Sequence, residues 1–198
     1  MFVSFEGLDG SGKTTQLRLL AERLTAEGET VVATREPGGT ELGEAIRNLV
    51  LHGGNVAPWA EAALYAASRA QHVEEVIRPA LERGAIVLCD RYLDSSVAYQ
   101  GVARDLGLDR VLDLNLAAVG GLLPDITVLL QIDASVAESR MGGDRDRLER
   151  EDGSFHARAA EGYGELASRF PERVVVFDAA LPPAELAERI HSAVRGHS

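Results

Sequence analysis

The sequence predicts an α/β fold in three layers, with about five parallel strands covered by helices on both faces. Two observations point to it. Short apolar runs of strand length alternate with longer stretches of helical periodicity along the whole chain. Parallel strands joined by right-handed crossovers are what such alternation builds. A glycine-rich segment, Gly7 to Thr14, also stands between the first apolar run and the first helical stretch, where a strand has to turn sharply into a helix. The 198 residues contain no internal repeat, low-complexity tract or linker, so residues 1–198 are expected to form a single domain.

Phe2 to Glu6 reads as a buried first strand. A helix opens near Lys13, with Leu17, Leu20 and Leu24 on one face and Gly28 at its end. Thr30–Thr34 is the second strand, and Arg35-Glu36-Pro37-Gly38-Gly39 follows as a loop. Helices are expected over Glu41–Leu51 and Pro58–Arg83, and Ala85–Cys89 is the third strand, leading into Asp90-Arg91-Tyr92. Further helices fall near Ser95–Arg104 and Asp109–Val119, a strand at Ile126–Ile132, and a helix from about Ser135. The glycine-flanked, densely charged stretch at about 141–153 suits a short mobile lid. A helix over Ser154–Ser168, a strand over Arg173–Phe177 and a helix over Pro183–Val194 complete the chain.

Composition narrows the function. A net charge of −11, from 31 acidic and 20 basic residues, argues against a nucleic-acid polymer as partner. It leaves room for a small anion held by a few convergent arginines. No apolar run approaches the ~20 residues that span a bilayer, so a cytoplasmic location is expected and no membrane partner. The five histidines lack metal-ligand spacing and read as surface or helix residues. Cys89, inside Ile86-Val87-Leu88-Cys89, reads as a buried strand thiol.

Gly7-Leu8-Asp9-Gly10-Ser11-Gly12-Lys13-Thr14 fits G-x-x-x-x-G-K-[ST] in full. Glycines let successive backbone N–H groups surround phosphate oxygens, and the helix that follows adds its positive end. Lys13 would reach the β- and γ-phosphates of ATP and the Thr14 hydroxyl would hold Mg²⁺. Lys13 is also the only lysine in the chain, the other basic residues being arginines. A compact ammonium fits inside such a loop where a planar guanidinium does not.

A phosphate-binding loop serves kinases, hydrolases and switches alike. The Asn-Lys-x-Asp guanine signature requires a second lysine, which the chain lacks. Hydrolases commonly place a glutamate after the Mg²⁺-associated aspartate; here Asp90 is followed by Arg91. Arg91 cannot activate water, but it can bind a second anion, which favours a kinase. If the acceptor is a phosphate, it is already ionised and needs no general base. What it needs is arginine forks. Arg35 and Arg91 follow successive strands, at the edge where the phosphate loop lies. Arg145 and Arg147 sit in the lid stretch, where they would serve the transferring phosphoryl group.

Taken in order, these segments resemble the thymidylate kinases over essentially the whole chain. They are Phe5 to Thr15, Thr34-Arg35-Glu36-Pro37-Gly38-Gly39-Thr40, Asp90-Arg91-Tyr92 with Ser95, Ser96, Tyr99, Gln100 and Gly101, and Asp146-Arg147-Leu148-Glu149. The resemblance implies transfer of the γ-phosphate of ATP, with Mg²⁺, to dTMP. It implies that Gly7 to Thr15 bind ATP, that Asp9 meets the sugar 3′-hydroxyl, and that Arg35 and Arg91 meet the 5′-phosphate. Arg47 joins them on the substrate side. Tyr65 lies against the thymine face, Arg69 reads a thymine carbonyl, and Ser96 and Gln100 line the base pocket. Asp178-Ala179-Ala180 resembles the loop beside adenine. A homodimer is implied as well. Gly10 stands where one branch of the family carries a P-loop arginine, so the chain is similar to the bacterial branch whose catalytic arginine is in the lid. A kinase acting on AMP or GMP, or a nucleotide-dependent switch, is the alternative.

Overall fold

A computed structural model describes residues 1–140, 142 and 145–197. Met141, Gly143 and Asp144, at the start of the expected lid, lie outside the described residues.

Five strands, β1 (Phe2–Glu6), β2 (Val31–Arg35), β3 (Ile86–Asp90), β4 (Ile126–Gln131) and β5 (Val174–Asp178), form one sheet in the order β2-β3-β1-β4-β5. Every neighbouring pair is parallel, as the strand–helix alternation requires. Side chains alternate between faces with a period of two. Phe2, Val87, Cys89 and Leu129 enter one apolar layer. Val3, Phe5, Leu88, Val128 and Leu130 enter the other, beneath α1 (Lys13–Ala26) and α9 (Pro183–Gly196). Cys89 is fully buried, as its apolar run implies.

β2 and β3 each run one residue past the expected strand, because the register pairs Arg35 with Asp90. Both residues therefore stand on the last rung of the sheet. Glu36 N–H donates to Asp90 O at 2.9 Å and Arg91 N–H to Phe5 O at 2.9 Å, so the ladder fixes the residues that follow it.

The helix expected over Pro58–Arg83 is α3 (Pro58–His72), a π-helical turn at Val73–Ile77 and α4 (Arg78–Glu82). The one expected over Ser95–Arg104 is α5 (Leu93–Ser96) followed by a π-helical segment, Val97–Ala103. Wider π turns are common at functional sites, and periodicity of apolar residues does not reveal them. The segment Val97–Ala103 carries Tyr99 and Gln100 and packs against α8 (Gly153–Arg169). That approach needs Gly162: a Cβ there would lie 2.9 Å from Ala98 Cα. Helices α2 (Glu41–His52), α6 (Leu108–Ala118) and α7 (Ala134–Arg140) complete the described elements.

Candidate active site

The loop between β1 and α1 takes its shape from glycines in left-handed backbone, among them Gly10 (φ 80°) and Gly12 (φ 91°). Thr40 and Asp152 cap α2 and α8 with their side chains. Gly12 caps α1 without one, so the first N–H groups of α1 keep their donor capacity for an anion. Lys13 bends back over the loop, its Nζ donating to Gly7 O at 3.1 Å and Leu8 O at 2.8 Å. Burial first, and Arg91 second, push its pKa down to about 8. Thr14 Oγ1 donates to Asp90 Oδ2 at 2.7 Å, which brings the two expected Mg²⁺ residues together.

Arg91 occupies φ 69°, a conformation that non-glycine residues seldom adopt. Such strain persists where the surroundings over-determine it, and here they do. Nη2 donates to Asp9 Oδ1 at 2.6 Å, and Nη1 donates to Ser95 Oγ at 2.9 Å and Tyr163 Oη at 3.1 Å. The Tyr99 ring lies 5.3 Å below the guanidinium. Burial raises the carboxyl of Asp9, but the charges of Arg91 and Lys13 outweigh it and hold Asp9 well below the usual carboxylate range.

Beneath Arg91 lies Glu6, which sequence reasoning assigned only to a strand. Its Oε1 accepts from Tyr92 N–H at 2.7 Å, and its Oε2 accepts from Ser95 Oγ at 2.5 Å and Tyr163 Oη at 3.1 Å. Burial, reinforced by Asp94, pushes Glu6 up to about 7 against the opposing pull of Ser95 and Arg91. A glutamate ending a fully buried strand was the signal available; Tyr163 on α8 carried none.

Two spaces meet at this point. A cleft of about 1170 Å³ runs along the phosphate loop past Arg35, Asp90 and Arg140 to Ala179 and Leu181. A smaller cavity of about 140 Å³ is lined by Tyr65, Arg69, Ser96, Tyr99 and Gln100, with Asp146 and Leu148 from the lid stretch. Asp9, Glu36, Arg47 and Arg91 line both. Arg35 donates from Nη2 to both Glu44 carboxylate oxygens at 3.1 Å, and Arg47 donates to Pro37 O at 3.0 Å. Arg140, which the sequence reading passed over, donates to Ala179 O at 3.3 Å and so stands beside the 178–180 turn.

Arg69 is 2% exposed. Its Nε donates to Glu36 Oε2 at 2.6 Å, its Nη1 to Ser96 Oγ at 3.2 Å and to Asn115 Oδ1, and its Nη2 to Tyr92 O at 3.2 Å. His72, expected as a surface or helix residue, lies on α3 beside it and is wholly buried. Its Nδ1 and Nε2 lie 2.9 Å from Glu36 Oε1 and 2.7 Å from Thr34 Oγ1.

The lid arginines divide. Arg147, expected to serve the phosphoryl group, is held against α2 and α3. Its backbone N–H donates to Leu51 O at 3.0 Å, Nε to Val50 O at 2.8 Å and Nη2 to the buried Glu61 at 2.5 Å. The side chain follows its backbone, which the Leu51 contact draws to the end of α2. Arg145 is partly buried in the same stretch.

A lysine-bearing phosphate loop on a five-stranded parallel sheet, joined through arginines to a second small cavity, defines a nucleoside-monophosphate kinase of the P-loop fold. Comparison with known proteins gives the family. The family model described as thymidylate kinase matches residues 5–190. A thymidylate kinase of Clavibacter sepedonicus is 54% identical, over 97% of this chain and 93% of its own length. One from Synechococcus sp. (strain JA-3-3Ab) is 51% identical, over 98% and 95%. The crystal structure of thymidylate kinase from Ehrlichia chaffeensis superimposes with a TM-score of 0.83 at 32% identity, covering 98% of both chains. The chain belongs to the thymidylate kinase family and is an ATP-dependent nucleotide kinase. These matches do not favour an AMP or GMP kinase, or a switch.

Proposed function

We propose that the chain transfers the γ-phosphate of ATP to dTMP, giving dTDP and ADP. The observation that carries this reading is the junction at Asp9, Arg47 and Arg91, which line both the cleft over the phosphate loop and the small polar cavity. The triphosphate lies along Gly7 to Thr15, with Lys13 on its terminal phosphates. Arg35, Arg47 and Arg91 take the acceptor phosphate and relieve repulsion between the two polyanions. That phosphate attacks as an anion and needs no general base. Asp9, already fixed by Arg91, accepts from the sugar 3′-hydroxyl. Tyr65 packs on the thymine face while Arg69, Ser96 and Gln100 read its edge.

Thr14 and Asp90 offer hard oxygen donors 2.7 Å apart at the mouth of the cleft, a chemistry that suits Mg²⁺. These two residues would hold the ion, which would supply positive charge to offset that of the ATP phosphates. Arg145 is assigned to the transferring phosphoryl group and Arg147 to anchoring the lid, about residues 141–153, on one domain spanning 1–198. The adenine lies beside Arg140 and the 178–180 turn. A cytoplasmic location belongs to the same proposal; among the described residues no helix is long and apolar enough to cross a membrane. So does a homodimer, supported by exposed Leu42, Leu49 and Trp59 on α2 and α3. A coupled ADP-release assay with dTMP, dUMP, AMP, GMP and CMP tests the reaction. Release is expected to depend on dTMP, and a preference for AMP or GMP refutes the assignment.

A further inference from the structure

Glu61, on the first turn of α3, has no exposed surface. A buried carboxylate needs partners for its charge, and four donors converge on it. Gln100 Nε2 donates to Oε1 at 2.9 Å and Arg147 Nη2 to Oε2 at 2.5 Å. Arg104 reaches both oxygens at 3.4 Å, through Nε and Nη2. Arg104 comes from the end of the π-helical segment and Arg147 from the lid stretch, so Glu61 joins three parts of the chain that are distant in sequence.

Its position has a chemical consequence. A carboxylate between two guanidiniums is an acceptor only, while a primary amide has a donating end and an accepting end. Facing Glu61, Gln100 can present only its NH₂. That leaves the accepting end, Oε1, for the cavity that Gln100 lines. An acceptor at that place pairs with the N3–H of thymine and is repelled by the bare N3 lone pair of cytosine.

We propose that Glu61 is a specificity-determining positioning residue: it fixes the sense of the Gln100 amide, and Arg147 of the lid stretch is one of the two cations that hold its side chain in place. The inference rests on the dTMP reading above. It adds that thymine is distinguished from cytosine by a buried group outside the cavity. The lid thereby contributes to base selection as well as to covering the site, since Leu148, next to Arg147, packs against the apolar cluster that contains Tyr65.

The test compares kcat/KM for dTMP and dCMP in the wild type, Glu61→Gln and Glu61→Asp. Glutamine has the volume of glutamate but can donate, which frees the Gln100 amide to turn. The dTMP-to-dCMP ratio is expected to fall about tenfold or more, mainly through KM, with kcat at saturating dTMP within about threefold. Aspartate leaves a void but stays acceptor-only, so Glu61→Asp is expected to keep more of the ratio than Glu61→Gln. A residue that merely filled space would give the opposite order. Full retention of the ratio by Glu61→Gln, or a greater loss in Glu61→Asp, overturns the proposal. Should Glu61→Gln fail to fold, the double variant Arg104→Gln/Arg147→Gln asks the same question from residues whose side chains are 18% and 16% exposed. It too is expected to lose ratio, and an unchanged ratio counts against Glu61. A wild type that does not phosphorylate dTMP removes the underlying reading as well, so the two failures are told apart.

Discussion

Removing Lys13 is the most direct perturbation of the phosphate cradle. Lys13 is 6% exposed, and its ammonium is held 2.8 Å from Leu8 O and 3.1 Å from Gly7 O. A phosphate oxygen about 4 Å from such a charge, at an effective dielectric constant near 20, is stabilised by about 4 kcal/mol. That is roughly 10³-fold in rate if it is felt in the transition state; losing a preorganised donor of this kind typically costs ~10²–10³-fold. Lys13→Ala is therefore expected to lower kcat/KM for ATP by two to three orders of magnitude ("~10²–10³") with the fold retained. Lys13→Arg keeps the charge, but its planar fork does not fit between two carbonyls in so closed a loop, so most of the loss is expected to remain. The proton adds a second readout. With its pKa pushed down to about 8, mainly by burial, Lys13 loses its charge as pH rises through that value. The protonated form binds phosphate, so wild-type kcat/KM for ATP should decline above pH about 8. Coupled ADP release at saturating dTMP measures the rates, and circular dichroism confirms the fold. If a folded Lys13→Ala keeps more than half the wild-type kcat/KM, the assignment of the cradle is wrong.

Three further outcomes are expected. Arg145→Ala should lower kcat about 10²-fold with little change in KM for dTMP; an unchanged kcat at saturating substrates would remove Arg145 from the transferring phosphoryl. Gly162→Val should lower Tm by roughly 2–12 °C, because overpacking of about 1–3 kcal/mol meets Ala98 Cα at 2.9 Å and Val102 Cβ at 3.1 Å; a calorimetric Tm equal to that of the wild type contradicts the close packing of α8. Glu6, raised to about 7 by burial and Asp94, binds its proton more tightly in the folded chain than in the unfolded one. Its contribution to stability therefore falls as pH rises from about 4.5 to about 7. Glu6→Gln should flatten the stability profile in that window, and denaturant titrations that give parallel wild-type and variant profiles would refute it.

What the sequence made legible was the part governed by local rules. The limits of β1 follow from its apolar run and the glycine turn after it, and the parallel sheet follows from alternation. The phosphate loop was readable because its glycines, Lys13 and Thr14 act within eight consecutive residues. The second cavity is different in kind. Behind Gln100, outside the cavity's lining, Glu61, Arg104 and Arg147 meet from three distant elements. His72 is buried because Thr34 and Glu36 face it from β2 and the loop beyond. No spacing in the chain announces such contacts. The π-helical turns escaped for a related reason: one residue added to a helical turn shifts which side chains face the site while leaving the apolar composition unchanged.

The glycine at position 10 shows how a local feature and a distant one constrain each other. Gly10 stands where one branch of the family carries a P-loop arginine, and by that resemblance the catalytic arginine is expected in the lid. The structure supplies a steric reason for the glycine. Its φ is 80°, and a Cβ there would fall 2.3 Å from Ala137 O on α7, a backbone atom that cannot swing aside. No side chain fits at position 10 while α7 packs on the loop in this way, so the loop cannot carry its own arginine. In the reaction proposed above the further cation comes from the lid stretch, which follows α7 directly in the chain. Of its two proposed arginines, Arg147 is drawn away to Glu61, Val50 and Leu51. The proposal above therefore gives Arg145 the phosphoryl group and Arg147 the anchor. It also separates their expected effects: Arg145→Ala should act on kcat, whereas Arg147→Ala should act on the dTMP-to-dCMP ratio. Steady-state kinetics on the two single variants would expose an error, because a loss of kcat confined to Arg147→Ala reverses the assignment.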